Sequence, residues 1–513
     1  MDSFPLVCDG GVSGGELEIM GIDHAEEITR ELSAAPERPR RRRPRGRWAV
    51  AWAAGAIAAA GLTWAAWAGA VDHVPLLNRA VAGGLEVAGC ALLLAAWWGR
   101  ERRWVTRTLP LLLLSVAVLV GLIALTLWMT GTVTDAYPPT FALWVGAGFA
   151  ALAGCPLILR RRLTGLAVAW RKAAAVTAVP LTLAGAFMLI DQQYGIWPQI
   201  GDVLGHSGAI DGQQAHDLIG GAVSSPGGAP PAHGVIVSLD APATRSHFPH
   251  RPGVVFLPPA YFGPGRATLP VLVMLVGSPG TPINWLKSGH AQDTDDAYAA
   301  EHNGRAPVLV VVDQNGSATG DTECVDSPQG NAETYLTADV PAFVTGTLHI
   351  EHAASSWGIA GFSEGGTCAL DLVLGHPDIY RHVVDFGGDA RPNLGNPAHT
   401  LSALFGGDVA AQQAHDPARL LSTRRYPGVT LWFGAGADDA RGIAVGRQLA
   451  DDATRAGVVT HRFVDTGGHN WQFASVGFAR VLPQLCDEML ASGPAPAQSH
   501  LRRSGAAGHD ATG

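Results

Sequence analysis

The sequence predicts an all-α transmembrane bundle followed by an α/β unit, a mostly parallel eight-stranded sheet flanked by helices. Three observations carry this expectation: apolar stretches of near-membrane length fill positions 48–190, eight short β-branched runs recur with helix-like stretches over 234–491, and a Gly/Pro/Ser-rich segment at 191–233 separates the two. At 513 residues the chain is longer than one hydrophobic core usually organises, so at least two units are expected. Hydrophobic residues make up 47% and charged residues 15%, and the charges thin out through much of the first 190 positions, which fits a membrane part joined to a soluble part.

Positions 1–47 read as a disordered cytoplasmic leader without a signal peptide, because no apolar run precedes the arginines of RPRRRRPRGR. That basic run abuts the first apolar stretch and reads as a topology signal rather than a nucleic-acid site. The net charge of −9 likewise gives no reason to expect a nucleic-acid partner.

Five stretches then approach the roughly 20 residues needed to cross a bilayer: 48–70, 80–98, 108–130, 140–159 and 173–190. The loops after the second (GRERRWVTR) and the fourth (RRRLTGLAVAWRK) are basic, and those after the first and third carry almost no Lys or Arg. This alternation fits five spans starting in the cytoplasm, with everything after position 190 outside. The fifth is the shortest and contains Pro180. Glu86 falls inside the second stretch, where it is expected to face a neighbouring helix.

The segment 191–233 is expected to be a linker or loosely packed stalk, and 492–513 a disordered tail. Between them, strands are expected at 234–239, 253–257, 270–276, 307–313, 357–362, 382–386, 429–433 and 459–464, with helices at 332–344, 365–374 and 440–456 among them. A parallel sheet of this kind places its chemistry at the C-terminal ends of its strands.

The fifth run, WGIAGF, passes into GFSEGG and then into the apolar helix pattern TCALDLVLG. This strand–turn–helix setting makes Ser363 the candidate nucleophile of a G-x-S-x-G elbow and implies an α/β-hydrolase fold. The same pattern at GVSGG, positions 11–15, lacks both strand and helix. In that fold the acid and then the base follow the nucleophile along the chain. His469, in GGHNW after the eighth run, is the candidate base, and the loop after the seventh run carries two adjacent acids, Asp438 and Asp439. Spacing from Gly436 favours Asp439 but leaves Asp438 open. The backbone amides of Glu364 and Ser278 are the candidate oxyanion donors, since Pro279 has no N–H to offer.

With these residues in place, the region from about 235 to 485 resembles the esterase D family of α/β hydrolases, which includes enterochelin esterases, feruloyl esterases and mycolyltransferases of actinobacterial envelopes. VSLDAPATRSHF, VVFLPPAYFG, GSPGTPINW, GFSEGG and GGHNW carry the resemblance, and AETYLTADVPAFV resembles the helix before the nucleophile strand of the mycolyltransferase branch. The resemblance implies a triad of Ser363, His469 and Asp439 or Asp438. It leaves the membrane half uncovered.

Cys324 and Cys368 both fall in the outer segment, one after the fourth strand and one opening the helix after the elbow, so a disulfide between them is expected, with Cys486 a buried thiol. No zinc spacing or phosphate loop occurs, and no cofactor is expected. Two readings follow. One is a membrane-anchored serine esterase or acyltransferase acting on an extracytoplasmic ester or acyl lipid; the other is a catalytically idle ectodomain that serves as an envelope binding or assembly module.

Overall fold

A computed structural model of the protein describes residues 72–97, 104–130, 139–160, 166–204, 209–219 and 231–492, together with Thr63 and His206. The expected leader, the first apolar stretch, the GVSGG copy and the tail after Ser492 lie outside the described residues.

The eight β-branched runs form one sheet: β1 (Val235–Leu239), β2 (Gly253–Leu257), β3 (Val271–Leu275), β4 (Val308–Val311), β5 (Trp357–Phe362), β6 (His382–Phe386), β7 (Thr430–Gly436) and β8 (Val459–Asp465). Their spatial order is 1-2-4-3-5-6-7-8. β2 runs antiparallel to both β1 and β4, and every other neighbouring pair is parallel. Successive side chains of a strand point to opposite faces, and the core divides accordingly. Val271, Val273, Ile359, Val383 and Phe433 join one buried cluster, while Leu272, Met274, Ala360, Val384 and Trp432 join the other. Because both faces are buried, the central strands read as continuous apolar runs.

Helices cover both faces. Four membrane-type helices come first in the chain: α1 (Arg79–Trp97), α2 (Leu109–Thr130), α3 (Pro139–Leu159) and α4 (Leu166–Tyr194). Within the α/β unit, α5 (Ala291–Glu301) and α8 (Trp471–Ser492) pack on the face of Leu272, whereas α6 (Glu364–Gly375) and α7 (Ala440–Arg455) pack on the face of Val271. This is the α/β-hydrolase architecture. The stretch expected as one helix at 332–344 is helical from Ala332 to Gly346, with a π-helical middle at Tyr335–Asp339.

Each of the four early helices is long and apolar enough to cross a membrane. Leu111, Leu114, Leu122 and Leu143 stand exposed on them, as lipid-facing side chains would. Small residues let the helices approach closely. A Cβ on Gly89 would sit 2.9 Å from the amide nitrogen of Thr182, and one on Gly185 would sit 2.7 Å from that of Glu86. Glu86 is thus buried against α4, facing a neighbouring helix.

Two expectations require correction. The last span is not short: α4 has 29 residues, and Arg171 and Lys172, expected in a loop, lie within it. Their aliphatic stems can lie along the helix while the charges reach water, so the helix need not stop for them. Nor are the described parts of the expected linker, 191–204 and 209–219, a loose stalk. Asp191 and Gln192 are buried, Gln199 pairs with Pro75, and Ile210 adds a parallel bridge to Val237 at the edge of the sheet. Gly212–Ile219 is helical, and the Ile219 carbonyl accepts a 2.7 Å hydrogen bond from the Tyr261 hydroxyl.

Candidate active site

β5 ends at Phe362 and α6 begins at Glu364, so Ser363 must turn the chain by itself. It does so at φ 59° and ψ −125°, a conformation that L residues rarely adopt. The turn closes only because its flanks lack side chains. A Cβ on Gly361 would collide with the Gly365 carbonyl, and one on Gly365 would lie 2.5 Å from the carbonyl oxygens of Leu275 and Val276. The Ser363 amide is held by the Phe386 carbonyl of β6 at 2.9 Å.

His469 follows β8 and reaches back across the strand ends. Its Nε2 is 2.8 Å from Ser363 Oγ, and its Nδ1 is 3.0 Å from Asp439 Oδ2. The imidazole also packs against Phe362, with ring centroids 5.1 Å apart. Asp439 caps α7: its Oδ1 accepts from the Gly442 amide at 2.8 Å, which leaves Oδ2 turned to the imidazole. Burial works against ionisation of this carboxyl, but the hydrogen bonds from His469 and Gly442 and the positive charge of Arg441 outweigh it and hold it below the ordinary aspartate value. Asp438 is not part of the chain of bonds. Its side chain is exposed, and its amide donates to Gly467 at 2.9 Å, tying the acid loop to the histidine loop.

The loop after β3 passes close to the nucleophile, so that a Cβ on Gly277 would lie 2.9 Å from that of Ser363. Ser278 and Glu364 line the same cavity as Ser363. As the first residue of α6, Glu364 has an amide without an intrahelical partner. Its side chain points inward, where Oε2 accepts from Gln314 and Asn315 at 3.0 Å each. Burial, reinforced by the nearby Asp321, raises the Glu364 carboxyl well above the ordinary range. Beneath it Cys324 and Cys368 are joined in a disulfide, and Cys486 is a buried thiol.

The cavity measures about 1030 Å³. Sequence reasoning missed several of its walls. Tyr194 and Ile196 come from the segment expected to be a linker, and Trp471 from the residues just after the histidine. Asp389, Asn393 and Arg441 line the same cavity, where Arg441 Nη2 meets both carboxylate oxygens of Asp389, at 2.6 and 2.7 Å, and Asn393 Nδ2 adds a 2.8 Å bond to Asp389. The aromatic run HNW was a signal for Trp471. The Asp389–Arg441 pair, 52 residues apart, had none.

Residues 247–483 match the family described as "Putative esterase". An uncharacterized protein of Corynebacterium glutamicum is 36% identical over 242 residues, which cover 46% of this chain and 57% of that protein. S-formylglutathione hydrolase of Paracoccus denitrificans is 28% identical over 194 residues, covering 34% of this chain and 66% of that enzyme. The chain therefore spans less than two thirds of either relative. A solved ferulic acid esterase aligns over 50% of this chain and 98% of its own, at 19% identity and a TM-score of 0.43. Residues 247–483, somewhat less than half of the chain, are thus similar to the esterase family.

Proposed function

We propose that the protein is a membrane-anchored serine esterase or acyltransferase whose catalytic unit lies outside the cytoplasm. The observation that supports this reading most directly is the unbroken path from Asp439 Oδ2 through both ring nitrogens of His469 to Ser363 Oγ. In this mechanism Ser363 Oγ attacks the ester carbonyl while His469 Nε2 takes its proton. Asp439 holds the imidazole in the tautomer with hydrogen on Nδ1 and stabilises the imidazolium. The backbone amides of Ser278 and Glu364 receive the developing oxyanion, each worth roughly 3 kcal/mol in the transition state. His469 then returns the proton to the departing alcohol, leaving an acyl group on Ser363. Water or the hydroxyl of an acceptor attacks this acyl-enzyme, with His469 again taking the proton, and releases acid or a new ester.

The test is fluorophosphonate labelling of the full-length protein in detergent. Wild type should give one adduct, at Ser363, and Ser363→Ala should give none and turn over no ester. Undiminished ester turnover by correctly folded Ser363→Ala would refute the serine mechanism.

A further inference from the structure

The end of the last membrane helix is built into the candidate active site. α4 carries Arg171 and Lys172 near its start and Asp191 and Gln192 near its end. The rise from Lys172 to Asp191 is roughly 28 Å, close to the roughly 30 Å thickness of a bilayer's hydrocarbon core. Tyr194 and Trp197 follow within two turns, and these are the residue types that settle at the headgroup level. Tyr194 and Ile196 line the cavity that holds Ser363 and His469.

No slack separates the helix from the cavity. Asp191 Oδ1 accepts from the amides of Ile196 and Trp197 at 3.1 Å each, which turns the chain sharply at the helix exit. The Ile196 carbonyl accepts from Asn284 Nδ2 and, at 3.1 Å, from Ser288 Oγ. Both donors belong to the connection after β3 that also carries Ser278. A Cβ on Gly195 would lie 3.4 Å from the Trp471 side chain, so the helix exit and the residues after His469 pack directly together.

The cavity has two characters. Ile196, Phe362 and Trp471 form an apolar side, with the two aromatic rings 5.0 Å apart, and the paired Asp389 and Arg441 with Asn393 form a polar one. We infer that Tyr194 and Ile196 form the acyl-chain wall of this cavity, and that the substrate is the ester of a membrane amphiphile whose chain enters from the adjoining leaflet while its polar part meets the Asp389–Arg441 side. The inference rests on the serine-esterase reading and on the outward placement of the catalytic unit.

The experiment uses the full-length protein in phosphatidylcholine vesicles and a hexadecyl fluorophosphonate with a diazirine at the chain end, beside an ethyl fluorophosphonate. Both should label Ser363. Irradiation of the hexadecyl adduct should crosslink Tyr194–Trp197, Trp471 or bilayer lipid. In Ile196→Asn the ratio of hexadecyl to ethyl labelling rates should fall about tenfold, the scale set by a spoiled apolar contact, and the ethyl probe reports that the variant is folded. Crosslinks confined to the side of Asp389 and Asn393, or an unaltered ratio in the variant, overturn the inference while leaving the esterase reading intact. Failure of both probes to label wild-type Ser363 overturns the esterase reading, and this inference with it.

Discussion

Asp439 Oδ2 lies 3.0 Å from His469 Nδ1, although the adjacent Asp438 offers the same carboxylate one residue earlier. The α7 cap decides between them, because binding the Gly442 amide through Oδ1 fixes which way Asp439 faces. Asp439→Asn should therefore lower kcat by roughly 10⁴-fold, the scale on which an orienting carboxylate acts. Asp438→Asn should stay within about twofold, as expected for an exposed carboxylate. Equal losses in the two variants, measured on one ester, would remove Asp439 from the proposed triad.

Ser363 and His469 form a single proton-transfer unit in the proposed mechanism. Ser363→Ala and His469→Ala should each lower kcat by on the order of 10⁶-fold, and the double variant should lose no more than either alone. Multiplicative losses in the double variant would show that the two residues act separately.

The Cys324–Cys368 bridge closes a separation of 44 residues. Loop-closure entropy puts its contribution at roughly 4 kcal/mol. Thermal unfolding of Cys324→Ser/Cys368→Ser in detergent should show a Tm several degrees lower, and peptide mapping of the wild type without reductant should recover the linked pair. Recovery of both as alkylated free thiols would rule the bridge out.

A histidine–carboxylate cluster beside α6 should make stability pH-dependent. Glu333 Oε1 is 2.8 Å from His376 Nε2, its Oε2 is 3.7 Å from His415 Nε2, and His415 Nδ1 is 2.8 Å from Asp371 Oδ2. The hydrogen bond to Glu333 is the main reason His376 titrates above its ordinary value of 6.5; burial opposes the same shift at His415, where Asp371 and Glu333 outweigh it. Burial likewise opposes the lowering of Glu333 below 4.5, and the two histidines outweigh it. Raised histidines contribute stability below 6.5 and lose it as pH rises through their folded values, whereas a lowered glutamate contributes above 4.5 and loses it as pH falls. Asp371, whose carboxyl burial raises above the ordinary aspartate value, works the other way and costs stability as it ionises, so it is the attraction between Glu333 and the two histidines that is at full strength between about pH 4.5 and 6.5. Glu333→Gln should cost about 1 kcal/mol at pH 5.5 and much less at pH 9. A destabilisation that does not vary with pH would contradict this account.

The basic sequence at 99–107 and 160–165 places the outward-facing end of α4 opposite the cytoplasm in the proposed topology. Alkaline phosphatase fused after Ser492 should be active, and a cytoplasmic reporter at the same position inactive. The reverse pattern would place the catalytic unit inside.

Legibility in the sequence followed the range of the forces involved. The six inner strands, β2 to β7, were visible as local apolar runs, because a strand buried on both faces needs little else, and the half-exposed edge strands β1 and β8 were visible through their β-branched residues. The Ser363 turn was visible because its steric demands fall on glycines two residues either side. The choice between Asp438 and Asp439 depended on one helix cap and was left open. The docking of 191–219 was hidden because it rests on long-range polar contacts, such as Asn284 to Ile196 across 88 residues, in a stretch whose composition resembles a tether. The continuation of α4 through Arg171 and Lys172 was hidden by reading charge as a boundary.

The clamped exit of α4 makes this helix a ruler with a fixed phase. Inserting one residue between Gly185 and Asp191 would displace the upstream helix by about 1.5 Å and rotate it by about 100° relative to the exit, setting the packing of Gly185 and Thr182 on α1 against the exit that Asp191 fixes through the amides of Ile196 and Trp197. Changes of length in this chain should therefore be absorbed on the far side of the bilayer, and the single residue step in α4 should be among the least tolerated of all insertions.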